Sequence, residues 1–293
     1  MVLGKRKMTR GALLKKIAKE TMGDDFAARI WKRVEFIGDI ALIRTPLDMD
    51  PFDLRPLAEE LIKRIPYVKS VWAAIPGVKG EYRIREHVWL AGEERSVTIY
   101  KEHGCSFKVD ITRAYISPSL NYEHIRVARL VSQNETIVNM FAGVGLFSII
   151  IAKHAKPFRV YSIDINPHAY QLMVENIKLN KVENTVIPLL GDAKEIVEKH
   201  LLNTADRVLM PYPELALSYL IYALRSLKSG RGWIHVYLHF FTERGEHWRN
   251  KARFILEGKL RELNISNYEI RMIRKIRNVG PRTHQVVLDV YIG

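Results

Sequence analysis

The sequence predicts an α/β protein, a mostly parallel seven-stranded sheet with helices on both faces, preceded by a smaller α+β region. Three observations lead there. From about residue 135 onward, strand-like and helix-like segments alternate, the pattern of parallel strands joined by helical crossovers. A pair of glycines separates the first of those strands from its helix, in "NMFAGVGLFSII". The last two strand-like segments are joined only by "GPRT", so the sheet should end in an antiparallel pair.

Each element has its own signal. "TIVNMF" is a buried strand, and "LFSIIIAKHA" is the helix after the glycine loop. "RVYSIDI" is a second strand, followed by the helix "PHAYQLMVENIKLNK", whose Pro167 falls in the first turn, where no N–H is needed. "NTVIPLLG", "AKEIVEKHL" and "DRVLM" continue as strand, helix and strand. A helix through "ELALSYLIYALRSLKSG" is closed by Gly230, and "GWIHVYLHF" is a fifth strand. A charged helix near 242–262 precedes the final strands "YEIRMIRKIRNV" and "HQVVLDVYI". Before residue 135, "FIGDIALIRTP" is expected as one strand, "PFDLRPLAEELIKRIP" as a helix and "VKSVWAAIPG" as a strand. Further strands with turns follow in "HVWLAGEERSVTIYKEHGCSFKVDI". The expected organisation is a basic segment over 1–33, a small α+β domain over 34–118 and a Rossmann-like domain over 119–293.

Composition narrows the partners. The formal net charge is +14, an excess that suits a polyanion, because lysines and arginines displace counterions from phosphates. A charge-rich surface of the heat-tolerant kind would explain many charges but not so unbalanced a sum. No apolar run reaches the roughly 18 residues that span a bilayer, and the N-terminus lacks a signal-peptide core. A cytoplasmic protein is expected. The single cysteine, Cys105, excludes an intrachain disulfide, and the histidines form no ligand cluster, so no metal is expected.

Gly143 and Gly145 lack the third glycine of a dinucleotide fingerprint; Leu146, Phe147 and Ser148 follow instead. Asp164 closes the second strand, where a carboxylate can accept both ribose hydroxyls of either NAD or S-adenosylmethionine. Asp192 closes the third, where it can accept from an adenine amino group, although capping the next helix would equally explain it. Carboxylates on successive strand ends, with an antiparallel end to the sheet, favour an adenosine without pyrophosphate, hence S-adenosylmethionine.

Several runs in order, "IYKEHGCSFKVDITRAYISPSLNYEHIRVARLV", "VNMFAGVGLFSI", "DINPHAYQLMVENIKLNKV", "GDA" and "DRVLM", resemble the archaeal and eukaryotic tRNA (guanine-37-N1)-methyltransferase family. The wybutosine-pathway aminocarboxypropyltransferase is its near relative. The resemblance covers about residues 34–293 and implies a class I S-adenosylmethionine-dependent methyltransferase domain behind a small RNA-facing domain. It implies a cofactor held by Phe141, Ala142, Gly143, Gly145, Asp164 and Asp192, and a target purine at tRNA position 37, in the anticodon loop. Within "YISPSLNYEH" it places Tyr115 and Glu123 on the catalytic positions. Guanine N1 carries a proton near neutral pH, so a carboxylate within reach can take it as the methyl group transfers. An arginine would stabilise the charge growing on O6; Arg83 and Arg85 match the segment that bears it, with phosphate binding as the alternative role. Pro211, Tyr212 and Pro213 match the segment that positions the base.

Departures from the family pattern matter. Ser119 and His124 replace arginines, Asn139 replaces an aspartate before "MFAG", and Pro211 replaces an asparagine, which puts the identity of the base in question. The segment before residue 34 is expected to be too short for the family's elbow-gripping domain, with Lys5, Arg6, Lys7, Arg10, Lys15 and Lys16 contacting tRNA or forming a solvated helix face. The expectation is N1 methylation of guanine 37 by a monomer. Aminocarboxypropyl transfer to, or methylation of, a tricyclic precursor and a non-catalytic RNA-binding module are the alternatives.

Overall fold

Two units, Met1–Pro118 and Ser119–Gly293, divide the chain in the computed structural model, which describes residues 10–77, 80, 82 and 84–293. Lys5, Arg6, Lys7 and Arg83 lie outside the described residues, as does the side chain of Arg10.

In the N-terminal unit, α1 (Arg10–Met22) and α2 (Asp24–Arg29) precede a hairpin of β1 (Val34–Ile37) and β2 (Ile40–Arg44). The single strand expected over "FIGDIALIRTP" is therefore two. Gly38 breaks it at φ 56°, and a Cβ there would lie 2.2 Å from Thr98 Oγ1. Helix α3 (Arg55–Arg64) crosses from β2 to β3 (Ser70–Ala74), which pairs parallel to β2, and β4 (His87–Gly92) closes the sheet antiparallel. Leu14, Ile17 and Ala18, spaced on one face of α1, are buried with Leu54, Leu57, Leu61 and Val71 in one core. Each such side chain contributes about 1.5–3 kcal/mol on burial, so α1 is bound by its apolar stripe while Lys15 caps the end of α2 by donating to Ala28 O at 3.0 Å. A second hairpin joins β5 (Val97–Glu102) to β6 (Cys105–Asp110) through His103 and Gly104, both at positive φ as a tight hairpin turn requires.

The C-terminal unit begins with α4 (Asn121–Leu130) and alternates β7 (Thr136–Asn139), α5 (Leu146–Ala155), β8 (Arg159–Asp164), α6 (Pro167–Leu179), β9 (Val186–Leu190), α7 (Ala193–His200) and β10 (Arg207–Met210). It continues with α8 (Ala216–Ser226), β11 (Gly232–Phe241), α9 (Trp248–Glu262), β12 (Tyr268–Gly280) and β13 (Thr283–Ile292). The seven strands lie in the order β12-β13-β11-β10-β7-β8-β9, parallel except for β13, which runs antiparallel to both β11 and β12. The fold class expected from the sequence is the one observed.

Strand order reverses between β7 and β10, and at such a switch point the loops leave in opposite directions and open a crevice at the strand ends. Val138, Val208, Ile234 and Val286 on the central strands bury the sheet under α7, α8 and α9. β12 is an edge strand whose pairing with β13 slips at Ile270/Met272, Lys275/Arg277 and Asn278/Gly280. Among the described residues no helix is long and apolar enough to cross a membrane.

Candidate functional site

The glycine loop is built by backbone geometry. Gly143 and Gly145 both take positive φ, 57° and 94°, and Gly145 is the N-cap of α5. The backbone angle of Gly145 demands glycine, and a Cβ there, 3.0 Å from Ile149 Cδ1 and 3.1 Å from Met173 Cγ, would also make those side chains give way slightly. The Ala142 N–H donates to Ile163 O at 2.8 Å and the Gly145 N–H to Ala142 O at 3.0 Å, which ties the loop to β8 and closes its turn. Asn139, where the family pattern has an aspartate, is fully buried; its Nδ2 donates to Ser148 Oγ at 3.1 Å and its Oδ1 accepts from the Phe141 N–H at 3.4 Å. This side chain fastens the loop to α5.

Asp164 stands at the end of β8. Its Oδ2 accepts from the Gly143 N–H at 2.6 Å and its Oδ1 from the Asn166 N–H at 2.9 Å. Burial pushes this carboxyl up, with the two N–H donors opposing the shift. Each oxygen keeps a second lone pair, the capacity that a pair of ribose hydroxyls would use. Asn166 caps α6 through the His168 N–H at 3.0 Å, with Pro167 at the first position.

Asp192 does cap α7, accepting from the Lys194 N–H at 2.7 Å through Oδ1. Its Oδ2 is also engaged, by the Tyr219 hydroxyl at 2.8 Å. The Phe141 ring meets Tyr212 and Tyr219 edge-on, with centroids 5.3 and 5.4 Å apart. The structure thus brings Phe141, Asp192 and Tyr212 together around Tyr219, a residue of α8 that no sequence motif marked. Ala142 and Pro213 are buried, and Pro211 is half-buried after β10.

A second group lies on α4 and the antiparallel end of the sheet. Glu123, expected as a base or else as a solvated helix residue, is 1 % exposed and so is not solvated. Its Oε2 accepts from Arg126 Nε at 2.9 Å, and Oε1 lies 3.2 Å from Arg274 Nε. Arg126 grips Asp289 with both terminal nitrogens, at 2.5 and 3.1 Å. Asp289 Oδ1 also meets His235 Nδ1 at 2.6 Å, and Arg207 Nη1 approaches His235 Nε2 at 2.8 Å. Because Nε2 must accept from that guanidinium, the imidazole is neutral and its proton is on Nδ1, facing Asp289. Burial lowers the His235 pKa despite the Asp289 charge. Burial pushes Asp289 up, but His235 and Arg126 outweigh it and hold the carboxyl at about 2. Glu135 completes the chain, accepting from Arg207 Nε at 2.7 Å. Of this network the sequence singled out Glu123 alone.

In the N-terminal unit, Arg85, His87 and Tyr115 line one cavity of about 30 Å³. Tyr115 is 39 % exposed, and burial followed by the Arg85 charge lowers the His87 pKa to about 4. Arg83 falls outside the described residues. In the C-terminal unit, Ser119 accepts from Arg277 Nη1 at 2.6 Å, and His124, 3 % exposed, packs edge-on against Phe147. Both arginine replacements thus serve internal contacts. Among the described residues no three His, Cys, Asp or Glu side chains gather to hold a metal ion.

This strand order, with a glycine loop at its switch point and acids closing the next two strands, defines a Rossmann-like domain of the class I methyltransferase type. Residues 98–261 match the model of the TRM5/TYW2 methyltransferase domain, and the chain belongs to that family. It is 43 % identical over 266 residues to the tRNA 4-demethylwyosine(37)-methyltransferase Taw21 of Saccharolobus solfataricus, spanning 89 % of this chain and 94 % of that one. It is 42 % identical over 259 residues to the tRNA (guanine(37)-N(1))-methyltransferase Trm5b of Methanocaldococcus jannaschii, spanning 88 % of this chain and 70 % of that one. Among solved structures, the complex of aTrm5 and tRNALeu superimposes with a TM-score of 0.82 at 33 % identity, covering 100 % of this chain and 82 % of that one.

Proposed function

We propose that this protein is an S-adenosylmethionine-dependent tRNA-modifying enzyme that methylates the tricyclic base 4-demethylwyosine at tRNA position 37. The observation that carries the choice of base is the match to the S. solfataricus 4-demethylwyosine methyltransferase, which extends over nearly the whole of both chains. Pro211, in place of the asparagine expected for guanine recognition, agrees with it, because proline offers no side-chain hydrogen bond to a base edge. Guanine N1 methylation is the second reading, favoured by the 42 % identity to the M. jannaschii guanine-37 enzyme.

The residues fit an adenosine cofactor. Phe141, Ala142, Gly143 and Gly145 would hold it through their loop, Asp164 would accept from its ribose hydroxyls, and Asp192 would meet its adenine. The cofactor supplies a methyl group on a positively charged sulfur, an electrophile that needs no metal. Pro211, Tyr212 and Pro213 shape the base pocket, and Tyr115 offers an exposed ring for stacking, worth about 1–3 kcal/mol per base. Arg83 and Arg85 pair with phosphate or with an oxygen of the base. Glu123 takes the proton that the base releases on methylation, whether from ring nitrogen or ring carbon. Glu123→Gln is expected to lower turnover about 10²- to 10⁴-fold while leaving tRNA affinity nearly unchanged.

The test uses two tRNAs, one with guanine and one with 4-demethylwyosine at position 37, and cofactor labelled in the methyl or the carboxyl group. Methyl label entering the tricyclic tRNA in clear preference is expected. Preference for the guanine tRNA would establish the second reading. Carboxyl label in RNA would make the reaction an aminocarboxypropyl transfer, and failure of the protein to bind cofactor would remove every enzymatic reading.

A further inference from the structure

Glu123 is held by two arginines in very different settings. Arg126 is 11 % exposed and locked from behind by Asp289, which is itself locked by His235. Arg274 has no such backing. It projects from the edge strand β12, its side chain is 36 % exposed, and its guanidinium rests on the Tyr122 ring, 3.8 Å from the centroid. Although its Nε is 3.2 Å from Glu123 Oε1, that oxygen receives no aligned hydrogen bond among the described residues. One arm of the carboxylate is thus clamped and the other only leaned upon.

The charges make that difference consequential. In the resting cluster two carboxylates, Glu123 and Asp289, balance two guanidiniums, Arg126 and Arg274. When the base reacts, its proton goes to Glu123, the electron pair that held it goes to the methyl carbon, and the pair of the broken carbon–sulfur bond stays on sulfur. Glu123 is then a neutral acid, and the cluster carries one uncompensated positive charge. A guanidinium that faces a neutral acid has lost its counter-ion there, so the one of the two that can turn towards water is expected to do so, and that is Arg274, 36 % exposed. Arg126 cannot, because Asp289 still holds it.

We propose that Arg274 is a charge-exchange partner of Glu123. It faces the carboxylate at rest, withdraws along the Tyr122 face as the proton arrives, and by returning expels that proton to solvent and regenerates the base. It acts through Glu123 and is therefore a positioning residue. The inference rests on Glu123 being the base, as proposed above.

The experiment compares Arg274→Ala and Arg274→Gln with Glu123→Gln. It measures kcat and KM, tRNA affinity by filter binding without cofactor, and the response to added methylguanidinium. For both Arg274 variants kcat should fall about 10- to 100-fold, with tRNA affinity nearly unchanged and activity partly restored by methylguanidinium, which fits the half-exposed site. Glu123→Gln should lose about 10²- to 10⁴-fold in turnover and not be rescued. Unchanged kcat in the Arg274 variants, a loss confined to tRNA affinity, or absence of rescue in folded protein would overturn the role of Arg274 alone. A fully active Glu123→Gln protein would overturn the base itself and this inference with it.

Discussion

The glycine-loop crevice at the switch point and the Glu123 cluster belong to one sheet but are made by opposite means. The crevice is built from backbone: positive-φ glycines, N–H groups converging on Asp164, and helix caps at Asn166 and Asp192. The cluster is built from side chains carried into the interior by α4, β10, β11, β12 and β13, charged except for the neutral His235 of β11. Backbone donors are always present and need only a turn to aim them. Buried charges must be balanced one against another, and each depends on its partners. The crevice should therefore tolerate change locally, whereas the cluster should fail as a unit.

The largest effect is expected from breaking the cluster at its centre. Asp289→Ala leaves Arg126 buried without its clamp and should destabilise the protein by about 3–5 kcal/mol. Thermal unfolding should register this as a fall of about 2–4 °C for each kcal/mol. A loss below 1 kcal/mol would mean that the ion pairs are energetically independent. On the crevice side, Asp164→Asn removes one acceptor and the charge, weakening cofactor binding by about 1.5–3 kcal/mol, and turns an amide NH2 on one of its two backbone N–H donors at a further cost of about 1–3 kcal/mol in stability. Calorimetric titration with cofactor checks it, and equal affinity would detach Asp164 from the ribose.

Acid offers a milder probe of the same contrast. The Asp289 carboxyl, about 2 when folded, lies below its ordinary value of 3.8. Its contribution, roughly 2 kcal/mol, is fully present above pH 4 or so and is lost as pH falls through the folded value. Denaturant unfolding of wild type and Asp289→Ala at successive pH values should converge across that window, and parallel curves would contradict the assignment. Gly145→Ala should cost about 1–2 kcal/mol from its positive φ alone, before any adjustment of Ile149 and Met173. The smallest effect is expected for Tyr219→Phe, about 1 kcal/mol from the lost hydroxyl bond to Asp192, visible chiefly in cofactor affinity.

The same contrast explains what could be read before the structure. Gly143, Gly145, Asp164 and Asp192 each follow a strand at fixed spacing, and strand–turn–helix periodicity is local, so the positions of the glycine turn and of the two strand-end acids were legible in the sequence. Tyr219 was not, because an aromatic on an amphipathic helix carries no mark of which neighbour its hydroxyl will meet. Arg126, Arg207, His235, Arg274 and Asp289 span more than half of the chain, and only strand order brings them together. In the N-terminal unit the two-residue turn Gly38-Asp39 that divides "FIGDIALIRTP" into β1 and β2 is itself a local hairpin signal, masked by the apolar residues on either side that read as one continuous strand.

The first slip in β12 has a consequence of parity. Ile270 pairs with Val290 and Met272 with Asp289, so Arg271 is an extra residue with no partner across the ladder. Every side chain after it is shifted by one step of the pleat, and Arg274, opposite Val287, falls on the same face as Asp289. Had the strand kept its count, Arg274 would point away from Glu123 and Ile273 would take its place. A single-codon deletion at 271 should therefore remove the bulge while leaving Met272 opposite Asp289 and Arg274 opposite Val287, whereas regular pairing with Arg271 retained would exchange the two faces of everything downstream as far as the next slip.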